Sequence, residues 1–146
     1  MKQNELEKAV LFVCVENAGR SQIAEGFFNS KYAPAGYKAI SAGTRPALKL
    51  NPLVVQVMEE IGIDISKQKS KIITEDMIIF SVEAINMGCM DKSECPLLVM
   101  KNVIDWGIED PKDKPIEKVR EIRDEIEKRV KDIAEKLKES NNNNNP

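Results

Sequence analysis

Cys14-Val15-Glu16-Asn17-Ala18-Gly19-Arg20-Ser21 is a Cys-x5-Arg-Ser segment placed between a continuous apolar run and the start of a helical pattern. Five residues between Cys14 and Arg20 let the chain curl until its amide N–H groups converge on one oxyanion. The helix start behind the curl adds positive partial charge. Arg20 can fork two oxygens of a tetrahedral anion, which the point charge of a lysine does less well. Cys14 is then the candidate nucleophile, Arg20 and Ser21 its partners, and Val15, Glu16, Asn17, Ala18 and Gly19 the candidate oxyanion loop.

The chain contains no histidine. Cys-His and Ser-His pairs are excluded, so any general acid must be Asp, Glu, Lys, Tyr or Cys. A reactive cysteine must be held as thiolate by a helix terminus, backbone amides or a cation. A helix terminus supplies at most ~2 kcal/mol. The remainder falls to the loop amides, the Ser21 hydroxyl and Arg20.

The elements that must position this segment are legible on either side of it. Ala9 to Val13 is an unbroken apolar run, as in a parallel strand buried on both faces. A helix begins near Arg20, with Ile23, Ala24, Phe27 and Phe28 on one face. A second strand is expected over about Lys38 to Ser41, closed by Ala42-Gly43-Thr44. Asn51 as N-cap, Pro52 at the first helical position and Gly62 beyond the end frame a second helix, with Val54, Val57, Met58 and Ile61 as its buried stripe. Met77 to Phe80 is compatible with strand or helix on periodicity alone. A last strand is expected near Val99 to Ile104. The final helix is the clearest element, because Ile116, Val119, Ile122, Ile126, Val130, Ile133 and Leu137 recur every three or four residues. Strands alternating with helices predict an α/β fold, a parallel sheet covered on both faces. The reactive loop would then lie beyond a strand's carboxyl end, where open sheets bind ligands.

Composition restricts the classes further. The 146 residues fit one domain, expected over residues 1–140, with the Asn-rich end 141–146 expected to be disordered. The chain is 42% hydrophobic and 32% charged with net charge −2, and it has no basic patch interleaved with aromatics, so neither nucleic acid nor membrane is an expected partner. The longest apolar runs fall far short of the roughly 20 residues of a membrane span. The first ten residues lack the basic and apolar regions of a signal peptide. Three cysteines, an odd number, argue against a secreted disulfide framework and for a cytoplasmic protein with reduced thiols.

Residues 14–25 resemble the phosphate loop and first helix of the low-molecular-weight tyrosine phosphatases and their arsenate reductase relatives. The likeness continues through Ser41-Ala42-Gly43-Thr44, Asn51-Pro52, Ile63-Asp64-Ile65-Ser66, Met87-Gly88-Cys89, Cys95-Pro96 and Trp106 to Pro111. It implies a four-stranded parallel sheet in order 2-1-3-4, with a helical turn at 77–80 and strand three at about Val82 to Met87. It also implies that Asp110 is the general acid, a role worth about 10²–10⁴ in rate. Without the matched flanks, Asp110-Pro111 is a turn signal and nothing more.

Cys89 and Cys95 separate two activities within that resemblance. A phosphatase needs one cysteine. The thioredoxin-coupled arsenate reductases use three, in a relay that Cys14, Cys89 and Cys95 match. In the family's strand order, strands one and three are neighbours about 4.8 Å apart, within the roughly 7 Å Cα separation a disulfide tolerates. Zinc binding is disfavoured by three cysteines without histidine and without Cys-x2-4-Cys spacing, so no metal is expected at these thiols; inert core thiols are the bland alternative. The phosphatases favour tyrosines after Asp-Pro, where this chain has Lys112-Asp113. The expected activity is therefore arsenate reduction, with no bound cofactor and thioredoxin or an equivalent thiol as electron donor. Hydrolysis of aryl phosphate, phosphotyrosine or phosphoarginine is the alternative, and a phosphocysteine carrier, which has no use for Arg20 plus Asp110, the third reading. Some of the reductases bind potassium near the loop. Asn17, Glu25 and Ser41 match that site, but Lys71 stands where an acidic ligand is expected, which puts potassium in doubt.

Overall fold

The computed structural model describes residues 7–88 and 103–143, without the side chains of 141–143. Four strands form a parallel sheet in the order β2-β1-β3-β4: β1 (Lys8–Cys14), β2 (Tyr37–Gly43), β3 (Ser81–Asn86) and β4 (Val103–Asp105). The helices are α1 (Arg20–Phe27), α2 (Pro52–Glu59), α3 (Glu75–Phe80) and α4 (Ile116–Asn143). No helix among the described residues is long and apolar enough to cross a membrane.

The side-chain alternation of β1 builds two cores. Val10, Phe12 and Cys14 face the larger one, shared with α1, α2 and α4, whereas Leu11 and Val13 face a smaller one closed by Ile78 of α3. β1 is the central strand, buried on both faces, which is why its sequence reads as an unbroken apolar run. Its last residue, Cys14, is paired with Gly43 of β2, and Val13 with Asn86 of β3.

Several expectations are corrected in detail. Ile61 does not complete the buried stripe of α2; it is 42% exposed. The helix closes through bonds from Gly62 N to Glu59 O and from Ile63 N to Met58 O, with Gly62 at φ +83°. Only a residue tolerant of the left-handed conformation closes a helix this way, and the turn carries Ile61 out of helical phase while Ile63 takes the core position. Met77 to Phe80 is helical, as the family resemblance and not the periodicity indicated. After α1 the chain widens into a π-helical turn over Phe28–Tyr32. The described part of the last strand is Val103–Asp105, and residues 99–102 lie outside the described residues. Helix α4 continues three residues into the asparagine run expected to be unstructured. Extending a formed helix requires no new nucleus, so poor helix formers still propagate it for part of a turn.

Candidate active site

Cys14 ends β1 and Arg20 begins α1, so residues 15–19 must turn within one loop between a central strand and a helix N-terminus. The outward bonds of that loop set its inner surface. The carbonyls of Val15, Glu16 and Ala18 accept from the N–H groups of Arg45, Ala47 and Asn51 at 2.9 Å each. The Asn17 carbonyl accepts from Gln22 Nε2 at 2.9 Å and Ser70 Oγ at 2.8 Å, and that of Gly19 from Ile23 N at 2.9 Å. In a planar trans peptide the N–H points opposite to the C=O. Carbonyls tied to the surrounding segments therefore leave the amides of residues 16–20 directed to the loop's interior, a fixed anion cradle.

Gly43 is what lets β2 approach this loop. A Cβ there would collide with the Val15 carbonyl oxygen and lie 2.8 Å from that of Cys14. Asn17 is fully buried and left-handed at φ +52°, a conformation asparagine tolerates better than most residues.

The Asn17 side chain orients the Ser21 hydroxyl beside Cys14. Its Oδ1 accepts from Lys71 N at 2.8 Å, and a backbone N–H can only donate. Its Nδ2 therefore faces Ser21 and donates to Oγ at 2.7 Å. With that lone pair engaged, the single Ser21 proton is free for Cys14 Sγ, 2.8 Å away. Ser21 Oγ and Cys14 Sγ thus share one hydrogen bond, which the hydroxyl donates when the sulfur is a thiolate. Cys14 is only 3% exposed, so a substrate must enter the cradle to meet it.

Arg20 is held from the other wall. Its Nη1 donates to the Ile108 carbonyl at 2.7 Å, and its Nη2 lies 3.7 Å from Asp110 Oδ2. Gly88 makes room for this contact. A Cβ at position 88 would sit 2.8 Å from Arg20 Nη1 and 2.6 Å from Ile108 O, at a backbone φ of +153°. The segment bearing Asp110 is in turn fastened to the sheet by bonds from Trp106 N to Asn86 O and from Ile108 N to Met87 O. Asp110 is 56% exposed, at the mouth, and its Oδ1 accepts from Lys112 N at 3.0 Å. Pro111 packs against Gly19, where a Cβ would lie 3.1 Å from Cγ of the proline.

The cleft so formed, about 600 Å³, is lined by Cys14, Val15, Glu16, Ala18, Gly19, Arg20, Asp110 and Lys112 among others. The structure thus brings Cys14, Arg20 and Asp110 to one opening, with Ser21 fully buried behind Cys14. Cys89 and Cys95 lie outside the described residues. The side chains of Gln22, Gln68 and Ser70 and the backbone of Lys69 and Lys71 brace Asn17, directly or through Gln22; of these, sequence reasoning did not connect Gln68, Lys69 or Ser70 to the site. Ser41 donates to Glu25 Oε1, and the Lys71 ammonium is 3.7 Å from that same oxygen and bonded to the Lys69 carbonyl at 2.8 Å. Lys71 thus brings a positive charge to Glu25, and no group of three acidic or cysteine side chains fit for a metal is found among the described residues.

The profile of the low molecular weight phosphotyrosine protein phosphatases matches residues 9–143. The chain belongs to this family. Within the low molecular weight phosphatase family it is 36% identical over 132 residues to an arsenate reductase of Brevibacillus brevis, covering 90% of this chain and 97% of that one. A thioredoxin-dependent arsenate reductase of Corynebacterium glutamicum superposes with a TM-score of 0.75 at 39% identity. The match covers 91% of this chain but 63% of the Corynebacterium chain, so the present sequence spans less than two thirds of that relative. An arginine phosphatase of Geobacillus stearothermophilus superposes with a TM-score of 0.84 at 27% identity, covering 95% and 98% of the two chains. The low molecular weight phosphatase fold thus hosts both activities among the chain's neighbours.

Proposed function

We propose that the protein reduces arsenate to arsenite, with Cys14 as nucleophile, Asp110 as general acid, and Cys89 and Cys95 completing a thiol–disulfide relay emptied by an external thiol of the thioredoxin type. The observation that carries this reading is the 36% identity to an arsenate reductase over 132 residues, and the Asn17–Ser21–Cys14 hydrogen bonds beside Arg20 supply the anion site it needs.

In the proposed sequence the Cys14 thiolate attacks arsenic. The S–As bond forms as the As–OH bond breaks, and the departing hydroxyl takes a proton from Asp110 and leaves as water. The Cys89 thiolate then attacks the Cys14 sulfur. The S–S bond forms, the S–As bonding pair stays on arsenic, and As(V) leaves as As(III) arsenite. Cys95 attacks Cys89, frees Cys14 and moves the disulfide to the 89–95 pair. An external dithiol reduces that pair and is itself oxidised. Cytoplasmic residence follows from this chemistry, because the relay must start with reduced thiols.

Lys71 is proposed to stand in for a monovalent cation beside Glu25, so that activity needs no potassium. A second reading, phosphate ester or phosphoarginine hydrolysis through a Cys14 phosphocysteine, is supported by the likeness to the arginine phosphatase and requires only Cys14, Arg20 and Asp110. Turnover of arsenate and of para-nitrophenyl phosphate, each with and without a thioredoxin system, separates the two. Arsenate reduction that depends on the thiol system is expected; ester hydrolysis without any arsenate reduction would transfer the assignment to the phosphatase.

A further inference from the structure

Glu16, the second residue after the nucleophile, places a carboxylate at the rim of a cleft whose amides and arginine are arranged for an anion. Its backbone is fixed by the bond from Ala47 N to its carbonyl. Left alone, that carboxylate would repel any dianion entering the cradle. It is not left alone: Lys112 Nζ lies 3.3 Å from Glu16 Oε2, across the mouth of the cleft and 96 residues away in sequence. Both side chains are about half exposed, 59% for the lysine and 47% for the glutamate. Pairs this exposed stabilise a fold by only ~0–1 kcal/mol. Stability therefore gives little account of two opposed charges on facing walls of the candidate active site.

Lys49 also lines the cleft, and two further cations there face other partners. Arg20 faces Asp110 and the Ile108 carbonyl, and Lys114 faces Glu109 at 3.5 Å. Lys112 also orients the acid-bearing turn, since its backbone N–H donates to Asp110 Oδ1. Its side chain thus reaches from the Asp110 wall to the nucleophile's loop.

We infer that Lys112 sets the oxyanion affinity of the cleft by neutralising Glu16. The inference rests on the reading of residues 14–20 as an oxyanion site and adds which charges tune it. With both residues present the pair contributes no net charge at the rim. Removing the lysine alone leaves −1, removing the carboxylate alone leaves +1, and removing both returns the rim to neutrality.

The test uses inorganic phosphate as probe, read as protection of Cys14 from iodoacetamide, with the labelled peptide identified by mass. At low ionic strength Lys112→Gln should raise the half-protecting phosphate concentration about 3- to 10-fold, and Glu16→Gln should lower it, because unit charges several ångström from the anion act through a partly aqueous medium. The Glu16→Gln/Lys112→Gln protein should return to within about twofold of the parent, and the differences should shrink in about 0.5 M NaCl as screening shortens. In arsenate turnover Lys112→Gln should change KM by that factor while kcat changes less, since the Asp110 turn is held by a backbone N–H that the substitution keeps. Equal protection of parent and Lys112→Gln overturns the inference, as does a double variant no better than Lys112→Gln. A parent in which phosphate never protects Cys14 would overturn the oxyanion site itself, a distinguishable failure.

Discussion

Asn17 donates from Nδ2 to Ser21 Oγ at 2.7 Å, and the direction of that bond is settled by the Lys71 N–H on the opposite side of the same amide. A buried asparagine thereby takes up one lone pair of the serine and leaves its proton available to the Cys14 sulfur. Ser21→Ala removes the donor, and Asn17→Ala removes its orienter together with the anchor of segment 68–71. A hydrogen bond to a charged group is worth about 1.5–3 kcal/mol, so Ser21→Ala should slow both Cys14 alkylation and turnover roughly 10- to 100-fold at neutral pH. Unchanged alkylation of Cys14 in Ser21→Ala would show that the hydroxyl does not serve the sulfur.

Arg20→Lys keeps the positive charge but loses the fork and the tether to the Ile108 carbonyl. Turnover should fall about 10- to 100-fold, the loss of one or two charge-assisted hydrogen bonds. Steady-state kinetics on arsenate check this, and parental activity in Arg20→Lys would contradict the anion-site geometry.

Three serine substitutions separate the relay steps. Cys14→Ser should leave arsenate untouched. Cys89→Ser should fail to reduce arsenate yet retain any ester hydrolysis. Cys95→Ser should turn over once and stop with Cys14 and Cys89 joined, a bridge visible by peptide mapping. Sustained turnover by Cys95→Ser with thioredoxin as sole donor would eliminate the three-cysteine scheme.

The ammonium of Lys71 beside Glu25 predicts indifference to potassium. A ligand bound only by the native state stabilises by about 2.7 kcal/mol at a hundredfold excess over Kd. Replacing sodium by potassium should leave Tm and KM unchanged, and Lys71→Ala is the variant in which a potassium-specific rise could appear. Such a rise in the parent would refute the substitution.

Glu60 joins α2 to α4 through Arg120, at 2.7 Å, and Arg123, at 3.1 Å. The Arg120 hydrogen bond, ahead of its charge and of Arg123, holds the Glu60 carboxyl below its ordinary 4.5 despite some desolvation. Because the folded value is the lower one, the stabilisation is present above about pH 4.5 and fades as pH falls through the folded value. Glu60→Gln should lower Tm at pH 7, and by less at pH 3. A gap of equal size at both pH values would show that ionisation of Glu60 is not its source.

The strand, loop and first helix around Cys14 were readable from residues 9–28 because every cue there is local. An apolar run, a Cys-x5-Arg interval and a helical stripe lie within a few residues of the groups they position. The cap of α2 was equally local, with Asn51 Oδ1 accepting from Leu53 N, whereas Ile61 was misplaced because the two bonds that close the helix carry it off the stripe. Periodicity could not choose between helix and strand at Met77 to Phe80, since a short apolar run suits either, and packing of Ile78 against β1 and β3 goes with helix. Local sequence thus sufficed to place the loop from Cys14 to Ser21 and the alternation of elements. Tertiary structure alone decided that Lys71, Gln68 and Ser70 brace Asn17, that Ile108 holds Arg20 through the space Gly88 leaves, and that Lys112 meets Glu16. These contacts span roughly 50 to 96 residues, and no local periodicity or propensity encodes a hydrogen bond whose two ends meet only when the sheet has formed.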